Sequence, residues 1–246
     1  MDNNKILLKV ENLRFRWPSS QRDVIDISNL AIQQGERVFI KGESGSGKTT
    51  LLSLLGGINL PDTGRIELLG TDISQLKQSR RDQFRADHIG FIFQLFNLIP
   101  YLSVIENITL ACEFSSSRKA RALLQSNSLE KEAYRLLSHL QLHDRSILNK
   151  PVSDLSVGQQ QRVAVARALI GSPEIIIADE PTSALDTDTR EHFLQLLLRE
   201  CERSGSSVLF VSHDSSLEGA FDRSISLSDV NKAGIAVNEY SQEAIS

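Results

Sequence analysis

Gly42-Glu43-Ser44-Gly45-Ser46-Gly47-Lys48-Thr49 fits the pattern G-x-x-x-x-G-K-[ST]. Its flanks give the pattern meaning. The apolar run Val38-Phe39-Ile40 before it predicts a short buried strand. Lys48 to Leu55 predicts a helix, closed by Gly56-Gly57 and then Pro61. A glycine-rich turn between strand and helix lets the backbone fold back so that successive N–H groups point inward. The positive end of the helix adds to them, and together they form a cradle for anionic oxygens. In such a cradle Lys48 reaches β- and γ-phosphates, and the Thr49 hydroxyl suits Mg²⁺. Without those flanks the same residues would be a glycine-rich turn carrying a surface lysine.

Outward from this loop, apolar runs of strand length alternate with helical patterns, which is the mark of an α/β sheet. Arg65 to Leu69, Ile89 to Phe93, Ile175 to Ala178 and Val208 to Val211 read as further strands. The N-terminal region differs. Leu7 to Val10, Asp23 to Ile27 and Leu30 to Ile32 read as short strands joined by turns, an antiparallel sheet beside the parallel one. From about Asn97 to Val157 no β-rich run occurs. Leu129, Ala133, Leu136, Leu137 and Leu140 fall on one face of an amphipathic helix, and Ser115 to Lys119 reads as a polar connector to another helical stretch. The expected fold is α/β, a mainly parallel core with an N-terminal antiparallel β subdomain and an inserted helical subdomain.

Ile175-Ile176-Ile177-Ala178-Asp179-Glu180 is a buried strand ending in two acids. Two adjacent carboxylates at such a place are costly without a cation. Mg²⁺ is the expected cation, held by Asp179 directly or through water. Successive side chains of an extended chain face opposite ways, so Glu180 has a different role, that of a general base for water attacking the γ-phosphate. The other reading is a pair of acids capping the next helix. Gln94 and His213 each follow an apolar strand, as the phosphate loop and Asp179-Glu180 do. Ligands of open α/β sheets bind outside the carboxyl ends of strands, so the four polar groups are expected to meet at one nucleotide.

Composition narrows the classes. At 246 residues the chain holds one large domain, or one core with an insertion. A net charge of −4 gives no overall basic excess to track a phosphate backbone, so no nucleic-acid partner is expected. Cys112 and Cys201 form no metal-ligand spacing and are expected to be buried or half-buried thiols. Met1 to Lys5 lacks a signal-peptide pattern. The run from His88 to Ile105, free of Asp, Glu, Lys and Arg, contains Gln94, Asn97 and Pro100, and reads as a strand plus a loop rather than a membrane span.

Asp154-Leu155-Ser156-Val157-Gly158-Gln159-Gln160-Gln161-Arg162, upstream of the Ile175 strand, resembles the signature motif of ABC ATPases. With it, the order of motifs from Trp17 to Asp214 resembles that family. The resemblance implies a single P-loop ATPase domain over 1–246, with its helical signature subdomain at about 97–160. It implies ATP and Mg²⁺ as ligands. Gly42, Glu43, Ser44, Gly45, Ser46, Gly47, Lys48, Thr49 and Thr50 would bind phosphates, and Thr49, Gln94 and Asp179 would bind Mg²⁺. Glu180 would be the catalytic carboxylate, aided by His213, Gln94 and Lys48. Ser183-Ala184-Leu185-Asp186 would be the D-loop. Ser156, Gly158 and Gln159 would serve ATP held by a second copy, which makes the ATP-bound state a homodimer. Gly158 to Ile170 reads as a helix, whose positive end suits a γ-phosphate. Val157 stands where the family commonly has glycine, and a positive φ there would strain it. Trp17 is placed either to stack on adenine or to pack against the N-terminal sheet.

Gly90 to Pro100 with Leu102 to Asn107 resembles, within that family, the lipoprotein-releasing, macrolide-exporting and FtsE-type ATPases, which work with separate FtsX/MacB-type membrane permeases. That implies a cytoplasmic protein, peripheral on the inner face of the cell membrane through a transmembrane permease. The apolar set Phe96, Leu98, Ile99 and Tyr101 is then either the permease groove or packing of the helical subdomain. Other readings are an importer ATPase, a soluble ATPase acting on nucleic acid or ribosomes, and a P-loop kinase. The kinase has no use for Ser156 to Gln161.

Overall fold

Strand-length apolar runs and polar turns become, in a computed structural model that describes residues 5–183, 185 and 187–234, two compact units. The chain runs through β1 (Ile6–Phe15), β2 (Ile25–Gln33), β3 (Arg37–Lys41), α1 (Lys48–Leu55), β4 (Thr63–Leu68), β5 (Thr71–Asp72) and α2 (Gln78–His88). It continues through β6 (Ile89–Ile92), α3 (Val104–Glu113), α4 (Ser116–Gln125), α5 (Leu129–His139), α6 (Val157–Leu169) and β7 (Ile175–Asp179). Then follow α7 (Thr187–Ser204), β8 (Ser207–Ser212), β9 (Arg223–Ser226) and α8 (Leu227–Val230).

The first unit takes the described residues up to Asp82 and those from Val211 onward. Its antiparallel sheet has the order β2-β1-β4-β5. Leu8 and Val10 of β1 and Ile25 and Ile27 of β2 are buried on alternate positions, the period of a half-covered sheet. β2 is one strand where two were expected, because Asn29 stays in register opposite Glu11 and its side chain faces solvent instead of making a turn. In the same unit β3 pairs in parallel with β9. Asn231, nearly buried, accepts from Asp26 N and donates to Val24 O, and so ties the C-terminal described segment to β2.

The second unit runs from Gln83 to Phe210. β6 and β7 pair in parallel, Ile89 opposite Ile175 and Ile92 opposite Ala178, with β8 next to β7. Helices α3 to α6 each begin on a serine: Ser103, Ser115, Ser128 and Ser156. Each hydroxyl accepts an N–H that the helix leaves without a partner. Ser115 to Lys119, expected as a connector, is therefore the cap and first turn of α4; a capped first turn is polar by nature. Ala133, Leu136, Leu137 and Leu140 are buried as the α5 pattern requires. Cys112 and Cys201 are buried, and burial pushes both thiols up. Among the described residues no helix is long and apolar enough to cross a membrane.

The C-terminal end of α6 depends on α4. Arg118, 3% exposed, donates to Ile170 O at 2.8 Å and Ala168 O at 2.7 Å, with longer bonds to Arg167 O and Ile89 O. Arg121 donates to Gly171 O at 2.6 Å. Cations at a helix C-terminus are favourable, and these supply the hydrogen bonds that the last carbonyls lack. Burial pulls the Arg118 guanidinium down to about 10, so it stays charged at neutral pH. Arg118→Ala is expected to lower the unfolding free energy by about 3 kcal/mol, since buried carbonyls lose their donor. Urea denaturation read by circular dichroism checks it, and a midpoint equal to wild type would contradict the role.

Candidate functional site

The phosphate loop lies in the first unit, between β3 and α1. Gly47, the N-cap of α1, has φ +96, a conformation a side chain resists, and no side chain caps the helix. In this α1 differs from α3, α4, α5 and α6. A Cβ at Gly42 would stand 2.6 Å from Ser46 Oγ and 3.2 Å from Lys48 Cγ, so the loop closes on itself with no room for one. Ser46 Oγ is buried with no hydrogen-bond partner among the described residues. Lys48, 6% exposed, donates from Nζ to Gly42 O at 2.9 Å and Glu43 O at 2.8 Å, which holds the ammonium over the loop. Thr49 is exposed in the first turn of α1, while Glu43, Ser44 and Gly45 form the exposed rim and Thr50 is half-buried.

Two further predicted residues belong to the first unit. Trp17 is 39% exposed, and its ring stands edge-on to Phe15 with centroids 4.9 Å apart. One ring edge thus packs on the sheet while much of the indole faces solvent, so both readings of Trp17 keep a physical footing. His213 is exposed just past β8, and Asp214 beside it accepts from Ser216 N and Oγ to turn the chain.

The second unit carries the rest. The β6–β7 register puts Gln94, two residues beyond Ile92, and Asp179-Glu180, beyond Ala178, at one carboxyl edge of paired strands. Gln94 is exposed; Asp179 and Glu180 are half-buried. Glu180 does not continue the strand alternation that was expected to aim it. Its φ is +44, so it leaves β7 through a left-handed turn whose carbonyl accepts from Ser183 N at 3.2 Å. Strain of that kind in a non-glycine residue is typical of functional sites. Ala184 and Asp186 of the expected D-loop lie outside the described residues.

Ser156, Val157, Gly158 and Gln159 form the start of α6. Ser156 Oγ accepts from Gln159 N at 3.3 Å, and Gln159 Oε1 accepts from Ser156 N at 3.0 Å, a reciprocal capping box. Val157 is not among the positive-φ residues; it occupies the first helical position, 52% exposed and without backbone strain. Gly158 has open space where a Cβ would be. This helix start faces outward.

Two contacts of α6 were not foreseen. Gln161, 1% exposed, donates to Pro181 O at 2.7 Å, directly after Glu180. Arg167 donates to the carbonyls of Phe96 and Asn97, just after Gln94. Side chains that bind backbone carbonyls leave no residue-type signal at the accepting position. The apolar set after Gln94 is divided. Phe96 is buried and Leu98 and Ile99 are half-buried, so packing claims most of it; Leu95 and Tyr101 are 83% and 79% exposed.

Comparison with known proteins places the chain in a family. Residues 25–183 match the ABC transporter family. The chain is 38% identical over 224 residues to the lipoprotein-releasing system ATP-binding protein LolD of Porphyromonas gingivalis, covering 91% of this chain and 97% of that one. It is 37% identical over 240 residues to the macrolide export ATP-binding/permease protein MacB of Burkholderia pseudomallei, covering 97% of this chain and 35% of that longer protein. Among solved structures it resembles the dimeric ATP-binding cassette MJ0796 in a post-hydrolysis state bound to ADP and Pi. The TM-score is 0.74 and the identity 35%, over 89% of this chain and 94% of that one.

Gly42 has an ordinary φ, so alanine fits its backbone and disturbs only the loop interior. Gly42→Ala is expected to weaken ATP binding about tenfold, a cost near 1.4 kcal/mol. The urea midpoint is expected to stay within error of wild type. Calorimetric titration with ATP checks it; unchanged affinity would show that the loop interior does not meet the phosphates.

Proposed function

The chain belongs to the ABC transporter family, and from that premise we propose which of its residues bind and split ATP and what the work drives. One observation carries this reading: the glycine-started, uncapped N-terminus of α1, with the buried Ser46 hydroxyl beside it lacking a partner among the described residues. A partnerless buried hydroxyl calls for an explanation, and phosphate oxygens supply one. Gly42 to Thr50 cradle the phosphates, Lys48 gives its ammonium to the β- and γ-phosphates, and Trp17 stacks on adenine.

Among the described residues no group of three His, Cys, Asp or Glu side chains is placed to hold a metal ion. Mg²⁺ takes hard oxygen donors, commonly substrate phosphates with a few protein oxygens. Thr49, Asp179 and Gln94 are those oxygen donors. They would hold Mg²⁺, which would supply positive charge against the phosphate oxygens. Glu180 accepts a proton from water as its oxygen bonds to the γ-phosphorus. The bond from that phosphorus to the bridging oxygen breaks, and ADP leaves with the electron pair. His213 and Lys48 stabilise the charge on the transferred group.

Ser156, Gly158 and Gln159 act on the ATP of a second copy, because an outward-facing helix start presents its positive end to another molecule. The ATP-bound state is therefore a homodimer, like the dimeric cassette it resembles. The permease is a separate, FtsX/MacB-type membrane protein. LolD is named an ATP-binding protein of a lipoprotein-releasing system, and MacB is named both ATP-binding and permease. Leu95 and Tyr101 are the exposed apolar side chains beside Gln94 suited to that partner. The protein would work on the inner face of the membrane.

Glu180→Gln keeps size and hydrogen bonding and removes the base. Hydrolysis is expected to fall by at least about 10², while ATP binds as tightly as before or tighter. A stable ATP-dependent dimer should then elute from a sizing column. Hydrolysis at the wild-type rate would remove Glu180 from its role.

A further inference from the structure

The loop after Gln94 has a shape its own residues do not favour. Phe96 and Asn97 have φ +60 and +47. Left-handed backbone costs about 1–2 kcal/mol for an ordinary L-residue and less for asparagine, so Phe96 above all needs outside support. Local bonds exist, Phe96 N to Phe93 O at 3.0 Å and Asn97 N to Leu95 O at 2.7 Å. The carbonyls of the two left-handed residues are held from elsewhere. Arg167, in the last turn of α6, donates from Nη2 to Phe96 O and from Nη1 to Asn97 O, both at 2.6 Å.

Other groups fix the surroundings of this fork. The Phe96 ring is buried. Asn107, fully buried in α3, accepts from Ile99 N and donates to Ile99 O, Leu102 O and Ser103 O, which anchors the far side of the loop. Arg167 itself is half-buried, and burial lowers its pKa with no carboxylate of the described residues offsetting the cost. A desolvated cation without an acid is expensive, and a neutral side chain would fill the same space more cheaply. What only a guanidinium supplies is two parallel N–H groups that match two successive carbonyls.

We infer that Arg167 is a positioning residue for Gln94: its fork locks the left-handed turn at Phe96-Asn97, so the helix that starts at Ser156 sets the orientation of Gln94. The inference rests on the proposed role of Gln94 at the γ-phosphate. It gives the single rod of α6 a use at each end. The N-terminal end serves the ATP of the second copy, and the C-terminal end fixes a ligand of the chain's own ATP. A shift of α6 on meeting the second copy is thereby transmitted to Gln94.

The test is a double-mutant cycle on the full chain with MgATP, using Gln94→Ala, Arg167→Lys and their combination, with Arg167→Met beside them. Arg167→Lys keeps the charge and loses the fork, and it decides the matter if the methionine variant does not fold. Misplacing a catalytic ligand costs about tenfold to 10²-fold in rate. The expected result is that Arg167→Lys lowers kcat by about that factor in the wild-type background and by little in the Gln94→Ala background. Amide exchange of residues 94–99 should rise, with that of residues 44–55 unchanged. If the two losses multiply, or exchange rises throughout the chain, Arg167 acts through general stability and the inference fails while Gln94 keeps its role. If Gln94→Ala turns over like wild type, the role of Gln94 fails and the inference with it.

Discussion

Buried carbonyls at the end of a helix have no partner inside that helix, and they must find one. In the second unit this need is met by arginine. Arg118 and Arg121 of α4 take the carbonyls that α6 leaves unpaired, and Arg167 of α6 takes those of the loop after Gln94. α6 packs against α3, α5, α7 and β6, so its placement sets much of the unit. Its far end is held by the buried Arg118 and the half-buried Arg121, while its near end stands in solvent on a capping box.

Two helix starts place one electrostatic effect in different settings. α1 begins on a left-handed glycine without a side-chain cap, within a loop that folds over Lys48. α6 begins on a complete capping box, exposed, with open space at Gly158. An N-terminus enclosed by its own loop suits phosphates held by the same chain. One that faces outward suits phosphates brought by another. The chain carries net charge −4, so its attraction for a polyanion is local, built from oriented N–H groups and one lysine rather than from overall charge.

Much of this was legible in the sequence wherever an apolar run meets glycine or proline punctuation. β3, α1 and β7 fall within a residue of their expected bounds, and α6 was foreseen to the same margin. Errors occurred where a polar residue has two uses. Ser28-Asn29 looked like a turn but stays extended on the exposed face of β2, because pairing with β1 continues through it. Ser115 looked like a linker but caps α4. The left-handed Glu180 was invisible, since nothing in a strand-ending acid signals φ +44. Arg118 was equally hidden: it lies in the stretch that reads as a polar connector, where a charged residue reads as surface. In the helix it stands four residues before Ala122, on the same buried face.

In the proposed dimer each ATP is completed by two copies, Lys48 from one and Ser156 from the other. Lys48→Ala homodimers lack the lysine in both sites, and Ser156→Arg homodimers have a blocked helix start in both. A mixed dimer carries one doubly damaged site and one with every residue intact. Mixing the two inactive proteins and measuring phosphate release therefore tests the claim most directly. Activity is expected to reappear, to peak near equal amounts of the two and to vanish in either protein alone. Activity that never exceeds the sum of the separate variants would contradict it.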